Sequence, residues 1–298
     1  MAFGTITVGL RQDEAVAPNP ARRPNGLERR RAAIADLLED ARPVNTRAVL
    51  AAALLGAVEP ELPVAHLVAV ANLFGISPGA ARTSLWRMVS DGELTTDKAT
   101  YALAGRLLER RHQVDTAART MHADGSWDGT WELDVVLAER RAAMDRLDLR
   151  KAAVTLRLAE IREGIWTRPA NLDPDRSPHA RDVLARQCAH FDSARSNLDP
   201  EATARLFGLP AWASTAGRFI DAMRAEQDAA PYAGEDLTAT LSYQFTLSIA
   251  VVTHLEGDPL LPTELLPYTW PAEHLRITYR EFDQHFQHTM TAAVAAGI

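Results

Sequence analysis

Arg82, Thr83, Ser84, Trp86 and Arg87 fall within six positions of a 298-residue chain, directly behind the turn Gly75–Ile76–Ser77–Pro78. A guanidinium reaches guanine O6 and N7 in a major groove as a two-point fork, or a phosphate as an ion pair. Hydroxyls of Thr83 and Ser84 contact bases or phosphates. Trp86 has two open roles. It rests on the sugar backbone or a thymine methyl, or it packs in the core or at a dimer contact, as tryptophans of small domains more often do. Ser77 caps the helix behind it, and a capped helix start also offers free N–H groups to phosphate.

Other residues suit different chemistry. Glu281, His285 and His288 share one face of a helix and form a weak candidate for zinc, with His254 and His274 as further ligands. No tight H-E-x-x-H pattern accompanies them. Cys188 and His190 stand two apart, a poor spacing for nucleophile and base on a helix, so Cys188 reads as a buried thiol. Asp134 is comparable to a nuclease carboxylate, but it alternates with Leu133 and Val135 and so reads as a solvent-facing strand residue. There is no phosphate loop, dinucleotide fingerprint or G-x-S-x-G elbow. Catalytic residues and cofactors are therefore not expected.

The elements around Arg82 follow from pattern. Leu27–Asp40 is rich in helix formers, with Ile34, Leu37 and Leu38 at helical spacing. Arg29–Arg31 in it read as a solvated face more than an arm for DNA. Thr46–Val58 is a second helix, ended by EPELP. Val64–Phe74 is a third, with Leu67, Val68, Ala71 and Phe74 on one side. Gly75 stops it, and Ser77–Pro78 starts the next helix. Two helices joined by a glycine-containing turn of about three or four residues form a helix-turn-helix. Its second helix buries Ala81, Leu85, Met88 and Val89. GELTTDKATYALA then reads as strand, turn and strand, a small wing carrying Lys98. Arg106, Arg110 and Arg111 follow, placed either along a phosphate backbone or on a solvated helix.

Beyond a connector helix of residues 112–123, Trp127–Trp131 leads into the strand ELDVVLA (Glu132–Ala138), AERRAAMDRLDLRKAAVTLRL is a helix and IREGIWTRP a strand ending in a turn. From Ser177 the chain reads as mostly helical, with breaks at 197–200, 231–235 and 257–262. The fold class is thus α+β, mostly helical. Residues 1–25 form a disordered tail dense in Pro, Asn, Gly and Arg.

Composition bounds the function. The net charge is −7, but Met1–Arg111 carries +2 and the remainder −9, so an acidic body with a mildly basic N-terminal part retains DNA as a partner. One cysteine excludes an intrachain disulfide and fits a cytoplasmic location. No apolar run approaches a membrane span.

FGISPGAARTSLWRMVSDGEL resembles the helix-turn-helix of the PaaX-like regulators, the phenylacetate-degradation repressor family. WDGTWELDVVL, IREGIWTRPANL and LPTELLPYTWPAEHLRITYREF resemble later segments of that family, in unchanged order from about Val44 to Gln287. The resemblance implies a winged helix-turn-helix domain (26–111, with an N-terminal helical extension), a central ferredoxin-like, Cas2-like domain (124–176) and an α-helical C-terminal domain (177–298). It implies a homodimeric repressor of a catabolic operon, bound to double-stranded operator DNA and released by an acyl-CoA or related organic acid. Expected DNA contacts are Ser77, Arg82, Thr83, Ser84, Trp86, Arg87, Lys98, Arg106 and Arg110. Trp131, Trp166, Arg168, Arg176 and Arg181 are candidates for the effector. The alternative from another class is a metal-dependent nuclease or hydrolase using the Cas2-like or helical domain.

Overall fold

The computed structural model describes residues 26–39, 45–57, 61–108, 111, 127–137, 140–175, 177–229 and 237–296. The expected tail of residues 1–25, the connector of 112–123, the break at 231–235, and Arg110 and Arg176 lie outside the described residues. The architecture is mostly helical α+β, with two small antiparallel sheets. No described helix is long and apolar enough to cross a membrane.

The first unit packs α3 (Thr46–Gly56), α4 (Val64–Leu73) and α5 (Pro78–Ser90) against strands β1 (Glu61–Pro63), β2 (Leu94–Asp97) and β3 (Thr100–Leu103), in the order β1–β3–β2. The Asn45 side chain caps α3 by accepting from the Ala48 N–H. Val49, Leu50, Ala53 and Leu54 of α3 meet Ala81, Leu85 and Met88 of α5 in the core. In α4 the buried residues are Leu67, Val70, Ala71 and Leu73, whereas Val68 and Phe74 are half-buried. This helix is apolar nearly all round, so spacing alone does not choose its inward face. EPELP is more than a break, since Glu61–Pro63 pairs with Thr100–Ala102 of β3. The expected wing strands are β2 and β3, joined at Lys98, whose φ is 55°. Gly105 closes the unit. Its φ is +47°, and a Cβ there would stand 2.5 Å from the Gly92 carbonyl oxygen.

The second unit runs β4 (Thr130–Val136), α6 (Ala143–Thr155), β5 (Ala159–Arg162), β6 (Ile165–Pro169), α7 (Pro178–Gln187) and β7 (Cys188–Arg195). The sheet order is β5–β6–β4–β7, antiparallel throughout. IREGIWTRP is therefore a hairpin rather than one strand, turned at Glu163–Gly164, where Gly164 takes φ +78°. Cys188–Arg195 is a strand where the sequence reads as helix. Its CAHFDSAR run carries no strong strand propensity, and pairing with β4 overrides that weak preference. Leu149, Ala152 and Ala153 of α6, Leu156 just after it, and Ala180, Val183 and Leu184 of α7 cover one sheet face, against Trp166 and Cys188.

The third unit holds α8 (Pro200–Leu206), α9 (Leu209–Gln227), α10 (Leu237–Glu256) and α11 (Ala272–Ala296). Trp212, Phe219, Met223, Leu247, Val251, Leu275 and Phe282 fill its core. The N-terminal stretch Leu27–Asp40 forms two short helices, α1 (Gly26–Ala32) and α2 (Ala35–Glu39), with Ile34 between them buried in this same core. Arg31 donates twice to Glu226, at 2.9 and 2.8 Å, and its guanidinium lies 4.6 Å over the Tyr243 ring. It is not part of a solvated face. Leu241, Phe245, Phe286 and Met290 of α10 and α11 enter the core of the first unit, with the Phe74 and Phe245 rings 5.0 Å apart.

Candidate nucleic-acid interface

The helix α5 is oriented by its two ends and its buried stripe. Ser77 Oγ accepts from the Ala80 N–H at 3.3 Å, and Pro78 occupies the first helical position. With Ala81, Leu85 and Met88 buried beneath, the opposite face is forced outward. Arg82, Thr83, Trp86 and Arg87 are exposed and Ser84 is half-buried. The pairs Arg82–Trp86 and Thr83–Arg87 are each four residues apart, so they form two adjacent rows. Trp86 is 69% exposed and is not a core residue of this chain. Neither the Arg82 nor the Arg87 side chain has an ion-pair or hydrogen-bond partner among the described residues.

The cations further along divide. Lys98 is exposed at the β2–β3 turn. Arg106 is also exposed, but its guanidinium lies 3.2 Å from Glu93, a buried carboxylate that Arg47 binds as well. Arg111 donates to the Leu54 carbonyl at 3.3 Å, at the end of α3. These two contacts hold Arg106 and Arg111 against the first unit.

The four described residues expected around an effector, Trp131, Trp166, Arg168 and Arg181, do not converge. Trp131 is buried on one side of the sheet, its ring 6.4 Å from Phe207 and 6.2 Å from Trp127. Trp166 is buried on the other side, under α6 and α7. Arg168 is fully buried. Its donors reach the Pro169, Leu156 and Leu260 carbonyls at 3.0, 2.9 and 3.1 Å and Asn171 Oδ1 at 2.7 Å. Arg181 forms a forked pair with Glu132 at 2.5 and 3.2 Å. A cleft of about 340 Å³ opens elsewhere, beside Arg141, Arg146 and Arg162. Those arginines went unread because their neighbours in sequence are ordinary helix and turn residues. A periodic signal exists in Arg146 and Arg150, four apart on α6.

Asp134 is 1% exposed, against the expectation of a solvent-facing residue. The helices cover the face that carries Glu132 and Asp134, while Leu133 and Val135 stay half-exposed on the other. Asp134 Oδ1 lies 3.0 Å from His190 Nδ1, and burial pushes its pKa above the ordinary carboxylate value despite that partner. Cys188 is buried as expected, and desolvation raises its thiol to about 11. It shares a strand face with His190 rather than a helix.

His254 stacks on Trp212 at 4.5 Å and donates from Nε2 to the Trp212 carbonyl at 3.1 Å. Burial lowers its pKa. His274 Nε2 lies 2.6 Å from Arg224, and His288 Nδ1 lies 2.8 Å from the Gln284 carbonyl. Among the described residues, no three His, Cys, Asp or Glu side chains come together as a metal site.

Residues 48–107 match the family model of the PaaX-like proteins. The matched segment runs from α3 past β3 and contains α5 whole, and it is the family that the sequence motifs resemble. No curated protein matches the chain. Among solved structures, the uncharacterized protein Rv0674 from Mycobacterium tuberculosis is similar, with 28% identity and a TM-score of 0.61, covering 88% of this chain and 97% of that one. The likeness therefore extends far beyond the PaaX-like segment.

Proposed function

We propose that this chain is a DNA-binding transcriptional repressor whose α5 enters the major groove. The observation that carries the reading is the outer face of α5, where two unpaired arginines flank a 69% exposed tryptophan inside the PaaX-like segment. Core packing gives no reason to leave an indole in water, whereas an apolar ring between two guanidiniums suits a groove wall and a thymine methyl. The helix order α3–α4–α5 and the strand order β1–β3–β2 support a winged helix-turn-helix, with Lys98 at the wing tip. The β-α-β-β-α-β run with order β5–β6–β4–β7 supports the ferredoxin-like, Cas2-like reading of the second unit, and extends that domain through β7 to Arg195. A helical domain follows from there. The protein acts as a cytoplasmic homodimer, because one helix-turn-helix reads few base pairs and two-fold symmetry supplies a second half-site. An organic acid or its acyl-CoA releases it from the operator of a catabolic operon. Ser77, Thr83, Ser84, Arg87 and Lys98 join Arg82 and Trp86 as the DNA contacts, and Arg106 contributes through its exposed end.

Gel-shift titration of the full chain on DNA upstream of its own gene tests this. A retarded complex that outcompetes random duplex is expected. Arg82→Ala should cost about 1–3 kcal/mol of discrimination, as for a lost two-point base contact. Equal binding to operator and random DNA by the unmutated chain would sink the reading.

A further inference from the structure

We propose that the cleft beside the β5–β6 turn binds the phosphate end of a small organic phosphate. The cleft has a volume of about 340 Å³ and is walled by Arg141, Arg146 and Arg162 on its polar side and by Val135 and Ile165 on its apolar side. An inner lobe of about 30 Å³ continues from it between Arg150, Leu149 and Trp166.

The charge of this cleft is set against the rest of the molecule. Four arginines line its two lobes, with Glu160 and Glu163 as the carboxylates among them. Glu160 is folded back on the turn, where its carboxylate accepts the Gly164 N–H at 3.1 Å. Several other arginines are matched with acids, as in Arg181–Glu132, Arg276–Asp258, Arg31–Glu226 and Arg218–Asp36. None of the four in the cleft forms an ion pair with a described residue. Among the described residues the Arg146 side chain donates to the Arg141 carbonyl, at 2.8 Å, and Arg141 to Gln187 Oε1, at 3.3 Å. Four guanidiniums concentrated on a chain of net charge −7 make a local anion site. The excess of two positive charges over Glu160 and Glu163 matches a phosphate monoester dianion and exceeds what one carboxylate neutralises. Planar guanidinium forks also fit phosphate oxygens in pairs.

Trp166 supplies the independent observation. It is 8% exposed and lines the inner lobe, yet its Nε1 has no hydrogen-bond partner among the described residues. Buried indole N–H groups normally find an acceptor. The lobe has room for one oxygen-sized group, and an anionic oxygen there answers that donor. Val135 and Ile165 then flank the organic body. A duplex phosphate, carried on a broad convex ridge, does not reach this lobe, so the occupant is a small molecule.

Calorimetric titration of the full chain tests the site without DNA, so its outcome is read separately from operator binding. The probes are phenyl phosphate, benzoate, inorganic phosphate and a random-sequence duplex. Phenyl phosphate is expected to bind at least tenfold more tightly than benzoate or inorganic phosphate. Arg146→Ala with Arg162→Ala, both exposed, should weaken it at least tenfold at an unchanged melting temperature. Trp166→Phe, which keeps a ring and removes the N–H, should weaken it severalfold, and Glu163→Gln should tighten it. Unchanged binding in the double arginine variant overturns the proposal, as does equal affinity for benzoate or inorganic phosphate. Competitive displacement of phenyl phosphate by the duplex, with the same variant losing duplex affinity equally, makes the cleft a nucleic-acid contact and also overturns it.

Discussion

Arg168 shows how a residue type suited to ligands becomes a structural one. Its guanidinium is fully buried and bonded to three carbonyls and the Asn171 amide, one of those carbonyls, Leu260, lying in the loop before α11. The arginine thus ties the sheet of the second unit to the helices of the third. Arg168→Ala removes these donors and leaves buried carbonyls unpaired. It should lower unfolding free energy by about 3–5 kcal/mol, measured by urea denaturation. A loss under about 1 kcal/mol would mean that water replaces the guanidinium. His254 makes a pH-dependent contribution. Its folded pKa lies below the ordinary 6.5 because burial disfavours the charged ring. A depressed folded value means the stabilisation is fully present above the unfolded pKa and is lost as pH falls through the window below it. Melting temperature should therefore fall more steeply from pH 7 to pH 5 in the unmutated chain than in His254→Gln. Parallel pH profiles would assign the acid sensitivity to other groups.

At the scale of elements, α1 and α9 are joined by a charge pair that neither can lose singly. Glu226 is 1% exposed, and Arg31 supplies both of its strong hydrogen bonds while stacking on Tyr243. Arg31→Ala leaves the Glu226 charge buried and uncompensated. It should cost about 3–5 kcal/mol, and Glu226→Gln in the same background should restore part of it. Denaturant titration of Arg31→Ala, Glu226→Gln and the double variant checks this, and additive losses would show that the pair is not coupled. The β5–β6 turn is a second such point. Gly164 holds φ +78° with a Cβ position 3.4 Å from Val136, so the hairpin that frames the arginine cleft depends on glycine.

Across the whole molecule, one apolar core joins the first unit to the C-terminal helices. Phe245, Phe286 and Met290 pack with Leu50, Leu67 and Leu85 rather than forming a separate layer. A change in the packing of α10 or α11 therefore has a direct mechanical path to α4 and the turn before α5. The acidic charge of the remainder opposes non-specific binding to a polyanion, so on the proposed reading phosphate neutralisation falls to the few basic residues of the first unit. Operator affinity should fall steeply between low and moderate salt, with Arg87→Ala reducing the slope by about one. A salt-independent complex would place DNA on another surface. Light scattering at micromolar concentration, with and without operator, should return twice the chain mass, and a monomer in both conditions would refute the homodimer.

Local chemistry was enough to read α5 and its turn. A glycine stop, a serine cap, a proline at the first helical position and an apolar stripe at i, i+4 and i+7 each act within a few residues, so the face of Arg82 and Arg87 follows from sequence. The β2–β3 hairpin was legible for the same reason, as its strands are neighbours along the chain. Tertiary structure alone decided what distance along the chain hides. The strand β7 exists because β4, more than fifty residues earlier, offers an open edge. Asp134 turned inward because α6 and α7 cover the face it occupies, and a period of two does not say which face is covered. Arg31 found Glu226, 195 residues away, and Arg168 found Leu260, 92 residues away. Such partners leave no periodic trace, because their pairing depends on how whole units dock and not on the spacing of residues along any one element.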